Sequence, residues 1–429
     1  MNTQFPLLHR VPDHLAPIQV VPGTRARLAL TRPDGTPLGL TGEQELGHLV
    51  QTHTNASAEQ LIEALTVGRL QGRGGAGFPA HVKWRTVAAA SRAKVVVANG
   101  HEGEPASGKD RWLLLNRPHL VLEGMLLAAL AIGADKAIMC VSREDTHQSV
   151  EQALADLKEA GLVPENLTID IVTTDHRYVA GEESAIVQAL NGGPGLPTSK
   201  PPRPYESGVE GLPTLVQNVE TLAHAAWIHV NGPAAFREVG TRTSPGTALF
   251  TVLGGDREPV IVEAPLGVEL HELLGAVGIA PARVSRLLLG GWFGGVHGPE
   301  VLGLDCDYTS LRVAGSGLGC ASITVITPDD DVAEMAAQLG AWYASESALQ
   351  CGVCRNATRA IGRTLAKNAA GHADSEDFEN LSRWGMTLRG RGACGLLDGA
   401  ATLAHTTVSV VSAKEFVGAH AYPASRPTT

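Results

Sequence analysis

Three cysteines near the C-terminus have a spacing suited to redox chemistry: Cys351-Gly-Val-Cys354, then Cys394 in Arg391-Gly-Ala-Cys394-Gly. Thiolates are the usual ligands of iron–sulfur clusters, and a Cys-x-x-Cys turn points two of them at one metal core. A cubane ordinarily takes four protein thiolates and only three are grouped here, so the chemistry depends on how the fourth position is filled. A second set lies upstream. Gly72-Arg73-Gly74-Gly75-Ala76-Gly77-Phe78-Pro79 places four glycines in six residues, which lets the backbone reach positive φ and approach a ligand closely. Successive N–H groups in such a loop hold phosphate oxygens, with Arg73 and Lys83 positioned to assist; the alternative is a plain tight turn.

Asn99, Glu102 and Glu104 follow a buried strand, where open α/β sheets bind their ligands. Asn99 and Glu102 could hydrogen-bond a heterocycle or ribityl chain, and Glu104 could face a second ligand; a solvated acidic loop is the alternative. In Tyr178-Val-Ala-Gly181-Glu182-Glu183-Ser184 the paired carboxylates either serve a site or simply open a helix, where negative charge suits the dipole. Lys200-Pro-Pro-Arg203-Pro and Gln217-Asn218-Val-Glu-Thr221 follow.

These groups need rigid elements to hold them. A helical pattern over Ala58–Leu70 breaks at the glycine run. Lys94–Ala98 and Lys136–Val141 read as buried strands with the apolar helix Leu120–Ile132 between them, and the helix Ser149–Ala160 leads into a strand at Leu167–Val172. Alternating strand and helix predicts a parallel α/β sheet. Thr247–Leu253, Val260–Glu263 and Arg286–Leu289 read as strands around a helix at Leu270–Val277, a small mixed β domain. Asp331–Tyr343, Ala357–Ala369, Glu376–Arg389 and Gly399–Thr407 predict a helical bundle, with the cysteine pair at the start of one helix. The first fifty residues, with β-like runs such as Arg27–Leu30, read as an extension. The expected boundaries are 1–50, 51–243, 244–328 and 329–429.

The 429 residues exceed one ordinary core, and 44% hydrophobic with 18% charged residues fits a globular protein. Aromatics make up 4%, so the cores must be Ala, Leu and Val. A net charge of −10 argues against nucleic acid as the main partner, although local N–H groups can still hold an anionic cofactor. No secretory signal is evident. The longest apolar stretch, Leu120–Val141, is interrupted by Glu123, Asp135 and Lys136, short of the about 20 uncharged residues a spanning helix needs. Six cysteines suit a reducing compartment, so a cytoplasmic protein is expected.

Taken together and in order, Gly72–Pro79, Asn99–Arg111, Tyr178–Ala185, Lys200–Pro202 and Asn218–Thr221 resemble the signatures of the flavin-carrying, NADH-oxidising subunit of respiratory complex I and its relatives in soluble hydrogenases and formate dehydrogenases. Gly290-Gly-Trp-Phe-Gly-Gly295 is similar to that family's ubiquitin-like module, and Glu346-Ser347 before the cysteines to its cluster domain. The likeness runs over about residues 60 to 415. It implies a Rossmann-like FMN domain, a small β-grasp domain of the SLBB type and a cluster-bearing bundle. It further implies FMN, an iron–sulfur cluster and NAD(P)H, with electrons passed to a partner such as a ferredoxin or another iron–sulfur carrier within a homo- or hetero-oligomer. By this likeness Gly72, Arg73, Gly74, Gly75, Ala76 and Gly77 surround the FMN phosphate. Lys83, Asn99, His101, Glu102 and Gly103 lie along the flavin, and Gly181, Glu182, Asn218 and Thr221 complete the pocket. Glu104, Glu183, Phe78, Lys200 and Arg203 fall at positions that meet the dinucleotide. Cys351, Cys354 and Cys394 hold the cluster.

Three departures stand out. Arg203 follows Lys-Pro-Pro where the family has an aromatic, and Thr86 replaces a further Phe, leaving Phe78. This implies weaker adenine stacking, a preference shifted towards NADPH, or loss of nicotinamide binding. His101 replaces an Asp, either as a harmless solvated change or as a changed charge beside the flavin. Ala348 replaces the first cluster cysteine. The outcomes are a three-iron cluster, a four-iron cluster with a non-cysteine or exogenous fourth ligand, recruitment of Cys320, or loss of the cluster. Cys140 and Cys306 read as ordinary buried residues.

Overall fold

The computed structural model describes residues 5, 7–14, 17–50 and 56–419. Among the described residues ten strands run in chain order as β1 (Ile18–Val20), β2 (Val95–Gly100), β3 (Lys136–Val141), β4 (Thr168–Thr173), β5 (Thr214–Asn218), β6 (Thr247–Gly254), β7 (Arg257–Pro265), β8 (Arg286–Leu289), β9 (Val296–His297) and β10 (Ser322–Ile326). Four of them form a sheet of order β4-β3-β2-β5 in which every pairing is parallel. Val95–Ala98, central in this sheet, are fully buried, as continuous apolar runs are in a sheet covered on both faces. The helix Pro118–Ile132 lies against it with every residue buried except Leu130. That helix meets the helix Val219–Asn231 at glycine distance: a Cβ on Gly124 would stand 2.1 Å from the Leu222 carbonyl oxygen. No single described helix is long and apolar enough to cross a membrane.

The second sheet is mixed, with the order β1-β7-β6-β10-β8-β9. β1 and β10 pair in parallel with β7 and β6, and the other pairings are antiparallel. β1 brings part of the first fifty residues into this sheet, whereas the β-like reading of Arg27–Leu30 is overturned. The N–H groups of Arg27, Leu28 and Ala29 all donate to the buried Glu263 carboxylate, a convergence that an extended ladder cannot make. Four helices close the chain: Val332–Glu346, Gly352–Ala369, Ser375–Thr387 and Leu396–Ala419. The first two cross at Gly340 and Gly362, where a Cβ on Gly340 would lie 2.9 Å from the Gly362 Cα. The helix expected from Ala357 begins at Gly352, with Cys351 as its N-cap.

Candidate functional site

β2 and β5 lie side by side and both end in polar residues, Asn99-Gly100 and Gln217-Asn218. Beyond those carboxyl ends opens a cavity of about 430 Å³, within the size range of small-molecule and cofactor sites. One wall is the backbone of Gly74, Gly75 and Ala76. Gly75 has φ +123°, and Gly77 has φ +63° with the Tyr308 ring 2.6 Å from where its Cβ would be, so this loop tolerates no ordinary side chain there. Asn218, N-cap of the helix Val219–Asn231, lines the same end; its Oδ1 accepts from the Glu220 and Thr221 N–H groups and its Nδ2 donates to Asp110. Gly290 and Gly319 lie opposite; a Cβ on Gly319 would be 2.3 Å from the Gly290 oxygen. Tyr178 and Phe293 make an aromatic flank, with rings 6.1 Å apart and 21° between their planes.

The loop after β2 supplies the polar floor. Asn99 Nδ2 donates to the Gly181 oxygen, and its Oδ1 accepts from the His101 N–H. Glu102 accepts from the Ser107 hydroxyl and from the N–H groups of Asp110 and Arg111, so it fixes the start of the helix Lys109–Asn116. Lys109 is buried with its Nζ 2.7 Å from Asp110 and 2.8 Å from Glu220. Burial alone would lower its pKa, but the Asp110 and Glu220 carboxylates raise it above its ordinary value. Glu220, where Lys109 overrides the cost of burial, is held down to about 2. Glu104 is placed differently. It accepts from the N–H groups of Ala106 and Trp292 at 3.2 and 3.3 Å, and burial pushes its carboxyl up to about 7.

His101 is buried, not solvated. Its Nε2 lies 2.9 Å from the Arg177 carbonyl, which can only accept, so Nδ1 accepts from the Thr174 hydroxyl at 2.9 Å. Burial lowers its pKa to about 4, which makes it a neutral ring on the cavity wall.

Arg73, Gly74, Gly75, Ala76, Asn99, His101, Glu102, Gly103, Glu104, Gly181, Glu182 and Asn218 line the cavity. Gly72, Gly77, Phe78, Lys83, Glu183, Lys200, Arg203 and Thr221 do not. The assignment of Arg73's guanidinium to a phosphate is corrected: it is buried and donates to the carbonyls of Gln71, Pro245 and Thr247, which leaves it tied to the backbone. Lys83 is likewise drawn away from the cavity, to Glu183 at 3.1 Å. Lys200 bridges Glu182 at 2.5 Å and Glu183 at 3.6 Å, so Lys83, Glu183, Lys200 and Glu182 form one charge chain at the rim. Burial would raise the Glu183 pKa, but Lys83 and Lys200 bring it below its ordinary value. Thr221 is fully buried and accepts from the Arg73 N–H; it shapes the loop from behind. Phe78 and Arg203 are exposed. The sequence reading missed Ser107, Lys109, Asp110, Tyr178, Phe293 and Gly319. Lys109 and Asp110 sit in the quoted Asn99–Arg111 motif, Tyr178 in Tyr178–Ala185 and Phe293 in Gly290–Gly295, but the spacing of those motifs did not say that these side chains face one cavity.

Cys351, Cys354 and Cys394 line a second, smaller cavity, closed by Ser347, Ala348, Pro197 and Leu396. Among the described residues no three His, Cys, Asp or Glu side chains close on a single-ion site, but a soft three-thiol donor set around one cavity fits an iron–sulfur core. The Ser347 hydroxyl sits 3.7 Å from the Cys354 sulfur. Recruitment of Cys320 is not supported, because its side chain lines the larger cavity with its sulfur near the Gly290 oxygen. Cys140 and Cys306 are buried. Cys394 alone of the three thiol residues also lines the larger cavity, so one loop separates the two sites.

Residues 66–227 match the family model described as the Nuo51 FMN-binding domain, and residues 334–414 match the NADH-ubiquinone oxidoreductase-F iron–sulfur binding region. The chain is 34% identical to the F 2 subunit of NADH-quinone oxidoreductase in Rhizobium meliloti, over 80% of this chain and 85% of that one. It is 34% identical to the NAD-reducing hydrogenase HoxS subunit alpha of Cupriavidus necator, over 84% of this chain and 60% of that one. A crystal structure of an NAD+-reducing nickel–iron hydrogenase in the air-oxidised state superposes with a TM-score of 0.78 at 32% identity, covering 92% of this chain and 67% of that one. The chain therefore belongs to the family of FMN-binding and iron–sulfur-binding F subunits of NADH-quinone oxidoreductases, to which the hydrogenase diaphorase subunits are related.

Proposed function

We propose that this chain is an NAD(P)H-dependent oxidoreductase that passes electrons from a reduced nicotinamide to an iron–sulfur carrier protein. The observation that carries the reading is Cys394, which lines both the glycine-walled cavity and the thiol cavity. FMN held in the larger cavity would supply the chemistry that couples two-electron hydride transfer to one-electron transfer. The residues of the chain provide position. Gly74–Ala76 and the N-terminus at Asn218 would hold the phosphate, and Asn99, Glu102 and Gly103 would lie along the flavin. Tyr178 and Phe293 would give the flavin an apolar flank. Glu104 and the charge chain of Glu183 and Lys200 would border the dinucleotide. Cys351, Cys354 and Cys394 would hold the cluster, with Ala348 at the remaining corner. Within this reading residues 244–328 form a β-grasp domain and the described residues 329–419 the cluster bundle, and the chain works in an oligomer with its acceptor.

The donor preference rests on Arg203. It is exposed, and its N–H is held by Glu206, so a planar cation is presented where an aromatic would stack. We infer a shift towards NADPH, whose 2′-phosphate a guanidinium pairs well. The test is anaerobic reduction of the purified protein by NADH and by NADPH, followed at the flavin absorbance, in wild type and Arg203→Phe. Bleaching within seconds is expected, with the preference moving to NADH in the variant. Colour that neither donor bleaches would defeat the enzyme reading, and an unchanged preference would remove the role of Arg203.

A further inference from the structure

The charge of this chain is unevenly placed. Its net charge is −10, yet the segments 348–373 and 388–397, which carry all three clustered thiols, contain Arg355, Arg359, Arg363, Lys367, Arg389 and Arg391 and no carboxylate. Arg355, Arg359 and Arg363 recur every four residues on the helix Gly352–Ala369, so they share one face. They are exposed, while Cys354, Thr358, Ile361 and Leu365 on the opposite face are buried. Among the described residues Lys367 pairs with Asp377 at 3.1 Å, and the five arginines enter no ion pair. Beside Cys351 and Cys354 two apolar side chains stand out from the surface, Leu349 at 54% and Val353 at 45% exposure.

We propose that this face is the docking surface for an acidic, small iron–sulfur electron carrier. Leu349 and Val353 form the apolar centre over the thiol site, and Arg355, Arg359, Arg363, Arg389 and Arg391 form the charged surround. Helix stability alone does not account for unpaired like charges at four-residue spacing, which repel one another. An apolar spot beside a row of like charges, with Asp398 reaching only the loop at Gly390, is the anatomy of a transient, electrostatically steered interface, and it lies at the exit of the electron path. The inference rests on the functional reading above in placing that exit.

The probe is an acidic plant-type two-iron ferredoxin, used with the full-length, cofactor-loaded protein. Arg355→Glu/Arg359→Glu/Arg363→Glu should lower kcat/KM for ferredoxin reduction about 10-fold or more at low ionic strength, and the gap should close in about 0.5 M salt as screening shortens. Reduction of a small neutral quinone, which needs no docking, should stay the same, and the matching triple Arg→Lys variant should behave as wild type. Calorimetry of ferredoxin binding should show the same loss. Unchanged ferredoxin kinetics and binding in the charge-reversed protein, with quinone activity intact, would overturn the docking surface alone. Equal or tighter binding of a short DNA duplex would also overturn it. A wild type that reduces neither quinone nor ferredoxin would defeat the functional reading, and calorimetry would still decide the surface.

Discussion

Ala348 sets the chemistry of one corner of the thiol cavity, because a methyl group cannot ligate iron and Cys320 faces elsewhere. A four-iron core bound there has a corner that no protein thiolate closes. Under a one-electron oxidant such as ferricyanide, that corner should be lost as a ferrous ion. One electron goes to ferricyanide and three ferric ions remain. Desalted wild type should then hold about three irons per chain and show a three-iron EPR signal, whereas Ala348→Cys should keep about four. Equal iron content in both proteins would refute this. Glu104 gives a second prediction at the same scale. Its carboxyl ionises at about 7 when folded because of burial, against an ordinary value of 4.5. Between those values the folded chain keeps a proton that the unfolded chain has lost. Its contribution to stability is therefore present in full below pH 4.5 and falls away as pH rises towards 7. Glu104 lines the cavity and is only partly buried by accessible surface, so the loss is about 2 kcal/mol, less than the full shift implies. Urea titrations from pH 4.5 to 8 should show this slope in the cofactor-free protein and not in Glu104→Gln.

Elements were legible in the sequence where period and length were both clear. The strand at Lys136–Val141 and the helix at Leu120–Ile132 lie where their apolar runs predict, give or take two residues. β5 and β10 escaped, although the shorter Arg286–Leu289 did not, because Thr214–Asn218 and Ser322–Ile326 are broken by polar residues and show no continuous apolar run. The site divides in the same way. Glycines and loop carboxylates announced themselves by spacing, but the diversion of Arg73 to the Thr247 carbonyl depends on the second sheet packing behind the loop, which no local pattern records. Helix contacts are set by glycines of two kinds, and substitution separates them. Gly124→Ala drives a methyl into the Leu222 carbonyl, whereas Gly275, in the helix Leu270–Ala276, has nothing within 4 Å of its Cβ position. Gly124→Ala should therefore destabilise by about 3 kcal/mol or more, and Gly275→Ala should stabilise by about 0.5–1 kcal/mol. Chemical denaturation measures both, and similar effects at the two sites would contradict the packing.

At the scale of the whole molecule, the N-terminal strap ties the helical bundle to the loop that floors the larger cavity. Phe5 and Leu8 are buried in the same core as Trp292, Leu339 and Trp342. The Arg10 guanidinium lies 5.0 Å over the Trp292 ring. The Leu7 N–H donates to Gln338, and the Val11 N–H to the Pro105 oxygen beside Glu104. One short segment thus touches the helical bundle, the turn after β8 and the loop that floors the larger cavity. Trp292 is the hinge of this arrangement, since its N–H holds Glu104 while its ring carries Arg10 and packs edge-on against Trp342 at 4.9 Å. Truncating the strap's anchors should therefore be felt in the cavity as well as in overall stability. Phe5→Ala/Leu8→Ala removes apolar burial worth about 2 kcal/mol at each position. It should lower the unfolding temperature by several degrees and speed the release of bound FMN, read as recovered flavin fluorescence after dilution. A control of similar cost far from the strap, Leu157→Ala in the helix Glu144–Glu159, should lower the unfolding temperature without speeding flavin release. If the two variants release flavin at the same rate, the strap is only structural ballast and the coupling between the N-terminus and the cavity is refuted.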